Sequence, residues 1–233
     1  MPNANGYWTW AEIRAKVKAD TDTEGEVFVR TSELLEYAND AIREAEAEIK
    51  SLYEDYFLAN TTLSLVSGTS NYDLPTNIYA HKIRRVVYNN GSSVYTINRI
   101  QDWKKFETKS IADNFATSDL YQFFITNPIA GSPQLTLVPK ARETGTDIVT
   151  LWFLRDANRL AVDADICDIP EFITFIFKHM KHAIYEKEGH PNMDRAYRDL
   201  HVERKRMEGV LATMVPDAEN EIEVDYTFYE EMT

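Results

Sequence analysis

Hydrophobic and polar positions follow two different rhythms along this chain, and the change of rhythm divides it into three. Near the start, Trp10, Ile13 and Val17 recur at helical spacing, which predicts a short amphipathic helix over about Thr9–Ala19. The polar, glycine-containing run DTDTEGE then reads as a loop. Leu34, Leu35, Ala38, Ala41, Ile42, Ala45, Ile49, Leu52 and Tyr53 fall on one stripe, with Glu44, Glu46, Glu48 and Lys50 largely off it. That pattern predicts a helix of roughly 22 residues. Thr31 or Ser32 is its expected cap, and Glu33 suits its positive end.

In the middle the period shortens to two. TTLSLVSG sets Leu63 and Leu65 on one face, and IRRVVYNNGSSVYTINRI predicts two strands joined around Asn89-Asn90-Gly91. YQFFIT, QLTLV and DIVTLWFL are three further strand candidates. Pro75, Pro128, Pro133 and Pro139 lie between candidates, where they interrupt no ladder. Residues 58–160 therefore read as a β-rich domain of five or six strands. The stretch 102–118 fits either a long loop or a loop with a short helix.

Helical spacing returns in the last third. Asp168-x-x-Glu171 looks like a capping box, with Pro170 in the first turn. Ile173, Ile176, Phe177, Met180, Ala183 and Ile184 form an apolar face, and Gly189-His190-Pro191 ends it. A second helix is expected from about Asn192 to Val215, with a seam of Met193, Tyr197, Leu200, Met207, Leu211 and Met214 broken only by Arg204. The tail 217–233 has seven acids and no base, with Ile222, Val224, Tyr226, Phe228 and Tyr229 scattered through it. Such a segment forms no core alone and orders on meeting a partner. The expected fold class is α+β. N-terminal helices (1–57) and C-terminal helices (161–215) build a helical bundle, interrupted by an inserted antiparallel β-rich domain (58–160). An acidic extended tail (216–233) follows.

Charge sharpens this division. The 233 residues carry 38 acids and 25 bases, for a net charge of −13. Residues 1–60 are net −7, residues 61–160 net +3 and residues 161–233 net −9. An acidic excess argues against gripping nucleic acid over most of the surface, which needs Lys and Arg in excess. It is compatible with letting DNA pass without adhesion. The single cysteine, Cys167, excludes an intramolecular disulfide framework, and a reducing compartment is the simpler expectation. No stretch of about 18 apolar residues occurs, so no membrane span is expected. The N-terminus lacks a basic flank followed by an apolar run, so no cleaved signal peptide is expected.

Candidate chemistry is sparse. Walker, HExxH, GxSxG and GxGxxG motifs are missing from the sequence. His179 and His182 are three apart on a helix, with Cys167 upstream, but no fourth zinc ligand accompanies them, and surface or interface histidines are the simpler reading. Asp163-x-Asp165-x-x-Asp168 starts like a calcium loop, then places Cys167, Asp168 and Thr174 where an oxygen ligand, Gly and Glu belong. Solvated acids before a helix explain it better. No catalytic residue, metal or cofactor is assigned. Two basic clusters stand out: Lys82, Arg84 and Arg85, and Lys104 with Lys105 beside Trp103 and Phe106. Bases interleaved with aromatics suit single-stranded nucleic acid, while Lys at strand edges is also routine, so these residues are expected to face a neighbouring subunit or DNA. Arg204-Lys205-Arg206 is expected to form ion pairs within its helix or between subunits.

The order of segments resembles the head-to-tail adaptor (connector, or tail accessory) proteins of tailed bacteriophages. Leu34-Leu35-x-Tyr37-Ala38-Asn39-x-Ala41-Ile42 is similar to that family's early helix. Gly68, Tyr72, Leu74 and Pro75 resemble its G-x-x-x-Y-x-L-P turn, and Leu135-Thr-Leu137-Val-Pro139 its strand ending in proline. Asp168-Ile169-Pro170-Glu171-Phe172 resembles its hydrophobic-Pro-x-aromatic helix start. The resemblance implies a homo-oligomeric ring, of twelve copies, docked beneath the portal protein in the virion neck or tail after assembly in the host cytoplasm. Double-stranded DNA would pass through its channel without specific binding, and tail or nozzle proteins would attach below. It implies no cofactor, no enzymatic turnover and no membrane. Tyr226, Phe228 and Tyr229 are expected to contact the portal or another partner. Two alternatives of other classes stay open. One is a tail-associated cell-wall hydrolase using two positioned carboxylates. The other is a nucleic-acid-binding module using the basic middle.

Overall fold

The computed structural model describes residues 6–23, 28–100, 120–127 and 132–214. In chain order these form β1 (Trp8–Thr9), α1 (Trp10–Thr21), α2 (Thr31–Leu52), β2 (Leu58–Leu65), β3 (Asn71–Asp73), β4 (Ile78–Asn89), β5 (Val94–Thr96) and β6 (Asn98–Arg99). There follow β7 (Gln122–Thr126), β8 (Gln134–Val138), β9 (Gly145–Arg155), β10 (Ile166–Cys167), α3 (Ile173–Glu188) and α4 (Met193–Met214). The described residues fall into two compact units, one within Met1–Tyr53 and Arg159–Thr233, the other Glu54–Asn158.

In the first unit, Thr9 starts α1 with a capping box: its hydroxyl accepts the Glu12 N–H, and the Glu12 carboxylate accepts the Thr9 N–H at 2.9 Å. Trp10, Ile13 and Val17 are buried, as their spacing predicts. Helix α2 buries Leu34, Ala38, Ala41, Ile42, Ala45 and Ile49. Its cap position holds Arg30 rather than the expected Thr31 or Ser32, because Thr31 already has helical geometry. The Glu33 carboxylate accepts the Arg30 N–H at 2.8 Å and so satisfies that end. Helix α3 begins through a 3-10 turn, Pro170–Phe172, with Ile169 and not Asp168 at the cap and no side chain capping it. It ends at Gly189, whose φ of 61° is the left-handed conformation glycine adopts without a Cβ penalty. Helix α3 packs against α1, α2 and α4, and α2 also packs against α4. The two-residue strands β1 and β10 pair antiparallel, Trp8 with Cys167.

The second unit is two four-stranded sheets sharing one core. One has the order β2-β9-β4-β5, all antiparallel; the other has the order β3-β8-β7-β6, with only β6–β7 parallel. Val86, Val149, Leu151 and Phe153 from the first meet Phe123, Leu135 and Leu137 from the second. The Asn89-Asn90-Gly91 hairpin forms as read, with the Asn90 side-chain oxygen accepting the N–H groups of Ser92 and Ser93. There are eight strands among the described residues here, against five or six expected. Part of the difference is β3, too short for a period to show. The rest is a split at Ile97: its buried side chain carries the chain from β5, paired with β4, to β6, paired with β7. Strand β4 also carries an irregularity. Ile78 faces Arg155 and Ile83 faces Phe153, so residues 79–82 bulge out, with Ala80 and His81 both at left-handed φ (46° and 54°). The ambiguous stretch 102–118 lies outside the described residues.

Candidate functional site

Two polar places stand out, one in each unit. In the β unit the bulge of β4 brings Lys82 and Arg84 against a 3-10 turn, Glu54–Phe57. The Lys82 ammonium pairs with the Glu54 carboxylate, and Arg84 reaches Glu54 at 2.6 Å and Asp55 at 2.8 Å. The hydrogen bond from Lys82, ahead of the nearby Arg84 charge, holds the Glu54 carboxyl below its ordinary range. Arg85 instead donates to the Thr96 hydroxyl at 3.2 Å. A groove of about 500 Å³ opens here, lined among others by Glu54, His81, Lys82, Arg84, Arg99 and Asn127. The Asn127 side-chain nitrogen lies 3.4 Å from His81 Nδ1. Two of the three clustered cations are thus answered by carboxylates of the same unit, which leaves little net charge to neutralise phosphate. Lys104, Lys105, Tyr226, Phe228 and Tyr229 lie outside the described residues.

In the helical unit Arg204, the one break in the α4 seam, turns toward the Glu44 carboxylate of α2. The same carboxylate takes a hydrogen bond from His179 Nε2 of α3 at 2.9 Å. His179 Nδ1 and Arg204 Nε are buried with no hydrogen-bond partner among the described residues. Arg204 therefore forms neither of the pairs expected for it, but one between helices of its own subunit; Arg206 does pair within its helix, with Glu203 at 3.1 Å. The α4 seam itself is shifted: Ala196, Leu200, Met207 and Leu211 are buried, while Tyr197 is 55% exposed and Met193 also exposed. Tyr197 instead lies between the rings of His182 and His201. An arginine on an apolar seam was the signal that a carboxylate faces it.

Burial pushes the His179 imidazole below its ordinary value of 6.5, against the pull of Asp40 and with a push from His182. The folded state thus keeps His179 neutral where the unfolded chain takes a proton. Its contribution to stability is complete above pH 6.5 and falls as pH drops below that value. Amide-exchange protection of α3, corrected for the intrinsic pH dependence of exchange, should differ less between pH 7.5 and 5.5 in His179→Gln than in the native chain; an equal pH response in both would show that His179 is not the group responsible.

No three His, Cys, Asp or Glu side chains come together to hold a metal among the described residues. Cys167 is buried, and burial pushes its thiol up to about 12, which makes it a packing residue at pH 7. Of the calcium-like acids, Asp163 pairs with Arg14 at 2.8 Å and Asp165 accepts the N–H groups of Ala161 and Val162. The carboxyls of Glu12, Glu33 and Glu54 are each held below their ordinary range, the wrong direction for a general acid.

The motif positions prove to be joints of the fold. Asn39 projects from α2 and clamps the returning chain: its Nδ2 donates to the Leu160 carbonyl and its Oδ1 accepts the Leu160 N–H, each at 2.9 Å. The Tyr72 hydroxyl closes the Gly68 turn by accepting the Val66 N–H at 3.3 Å and donating to the Thr69 carbonyl at 3.3 Å. Leu74, Leu135 and Leu137 are core residues. A family model described as SU10 adaptor protein matches residues 8–217, a span that takes in both units. The chain belongs to this family of phage head-to-tail adaptors. No curated protein matches it in sequence. Most of the acidic tail lies beyond the adaptor match, and no helix among the described residues is long and apolar enough to cross a membrane.

Proposed function

We propose that this adaptor protein is a structural subunit of the virion neck, in which twelve copies form a ring that joins the portal to tail or nozzle proteins. The family match across residues 8–217 is the observation that carries this reading. Heterologous contacts between identical subunits close such a ring. The helices of 1–57 and 161–215 form its bundle, and 58–160 is the domain inserted into it. Segments of net −7 and −9 make a conduit that repels DNA phosphate, so the duplex slides past without specific binding. Lys82, Arg84 and Arg85, already compensated in part, serve subunit contacts better than a DNA clamp. The tail, with Tyr226, Phe228 and Tyr229, makes contact outside its own subunit. No turnover and no cofactor enter this role, and the ring is assembled in the host cytoplasm.

Electron microscopy of the full chain mixed with its portal tests it. A twelvefold ring beneath the portal is expected. A mixture in which portal and chain remain separate particles would overturn the reading.

A further inference from the structure

Sheets end in edges, and the four edges of the β unit are unequal. Strands β3 and β5 have three residues each and β6 has two, which blunts them. Strand β2 has eight, LANTTLSL, without a charge or a proline. It pairs with β9 along one side only. About half of its backbone N–H and C=O groups therefore point away from β9, toward no strand among the described residues. Its side chains alternate: Asn60, Thr62 and Ser64 are exposed, while Ala59 and Leu63 are only half-buried against the core. This is the profile of a sheet that accepts one more strand.

The tail supplies a matching pattern. From 221 to 228 residue type alternates without a break: Glu221, Glu223, Asp225 and Thr227 against Ile222, Val224, Tyr226 and Phe228. Period two with β-branched and aromatic residues is the signature of a strand with one face to bury. We propose that residues 221–228 of one copy add as a strand to the open edge of β2 in a neighbouring copy. Eight residues on each side span the same length, about 26 Å. The apolar row extends the face of Ala59 and Leu63, and the acidic row lies beside the exposed Asn60, Thr62 and Ser64, where one like charge, Asp147, accepts a hydrogen bond from the Thr62 hydroxyl at 2.7 Å. A head-to-tail contact of this kind propagates around a ring. The choice of a neighbouring copy rests on the ring reading above; the pairing itself rests on the two strand patterns.

Backbone amide exchange of the full chain, alone and mixed with portal, tests it. Val224→Pro removes an N–H and interrupts the alternating segment, and unchanged exchange in α2 and β9 shows that both units remain folded. In the native chain the outward amides of β2 should exchange at least ~10-fold more slowly than in the variant. Equal exchange in both overturns the pairing, and a ring seen in that case leaves the adaptor reading standing. Protected β2 without any ring does the opposite. To identify the copy, Tyr226→benzoylphenylalanine is photolysed in an equal mixture of ¹⁴N- and ¹⁵N-labelled chains. Adducts between tail and β2 carrying both isotopes are expected; adducts of one isotope only overturn the assignment to a neighbour.

Discussion

Replacing Glu46 with alanine should cost the helical unit about 3–5 kcal/mol, the usual cost of leaving one partner of a buried ion pair behind. The Glu46 side chain is 7% exposed and accepts from Lys50 Nζ at 2.6 Å, and Lys50 is 6% exposed. Arg159 reaches the other carboxylate oxygen. Without the carboxylate, the Lys50 ammonium stays in a site that hardly touches water, whereas the more exposed Arg159 keeps part of its hydration. The double change Glu46→Leu with Lys50→Leu removes both buried charges and should recover most of the loss. Two units in one chain make a single unfolding curve unsafe, so the measurement is amide exchange read separately in α2 and in β9. A loss under about 1 kcal/mol, or a double variant no better than the single one, would mean that the pair is effectively solvated.

Leu151→Ala should have a comparable effect on the β unit, about 2–5 kcal/mol. Leu151 is fully buried on β9, between Thr61 of β2 and Val86 of β4, in the core that the two sheets share. Its neighbour Trp152 points the other way and is 37% exposed. Trp152→Leu should therefore cost less than half as much, although the residue removed is larger. Exchange in β2, β4 and β9 reports both variants; equal losses would show that β9 does not present one face to the core.

These two cases mark what the sequence reveals. Leu151 is legible because period two assigns its face, and the same rule locates β2, β4, β7, β8 and β9. Glu46 and Lys50 correct the expectation that both lie largely off the α2 stripe: Glu46 lies four residues after Ile42 and three before Ile49, on the buried face, and the two side chains are buried together although their chemistry suggests the solvated face. Lys50 is visible as a partner of Glu46 at i+4, but Arg159 joins from 113 residues away. Tertiary partners of that kind are also why the caps were misplaced. The preference of Thr31 and Asp168 for cap positions yields where the incoming backbone fixes the first turn elsewhere. At the polar cluster, Arg204 announced a missing carboxylate, but nothing local distinguishes Glu44 from the other acids of α2. The groove at His81 was invisible, because two consecutive left-handed residues at Ala80 and His81 carry no glycine to mark them.

Helix α2 has a further consequence, in the order of synthesis. Its apolar stripe is covered by α3 and α4, and α3 begins roughly 120 residues after α2 ends. At about 5–20 residues per second, the ribosome takes roughly 6–24 s to supply that cover. The β unit, contiguous from Glu54 to Asn158, is made in that interval and has all its own partners before α3 emerges. A growing chain therefore carries a finished sandwich behind an unprotected amphipathic helix. Substitutions that slow the closing of α3 onto α2 should reduce the yield of soluble protein more than the stability of what has folded.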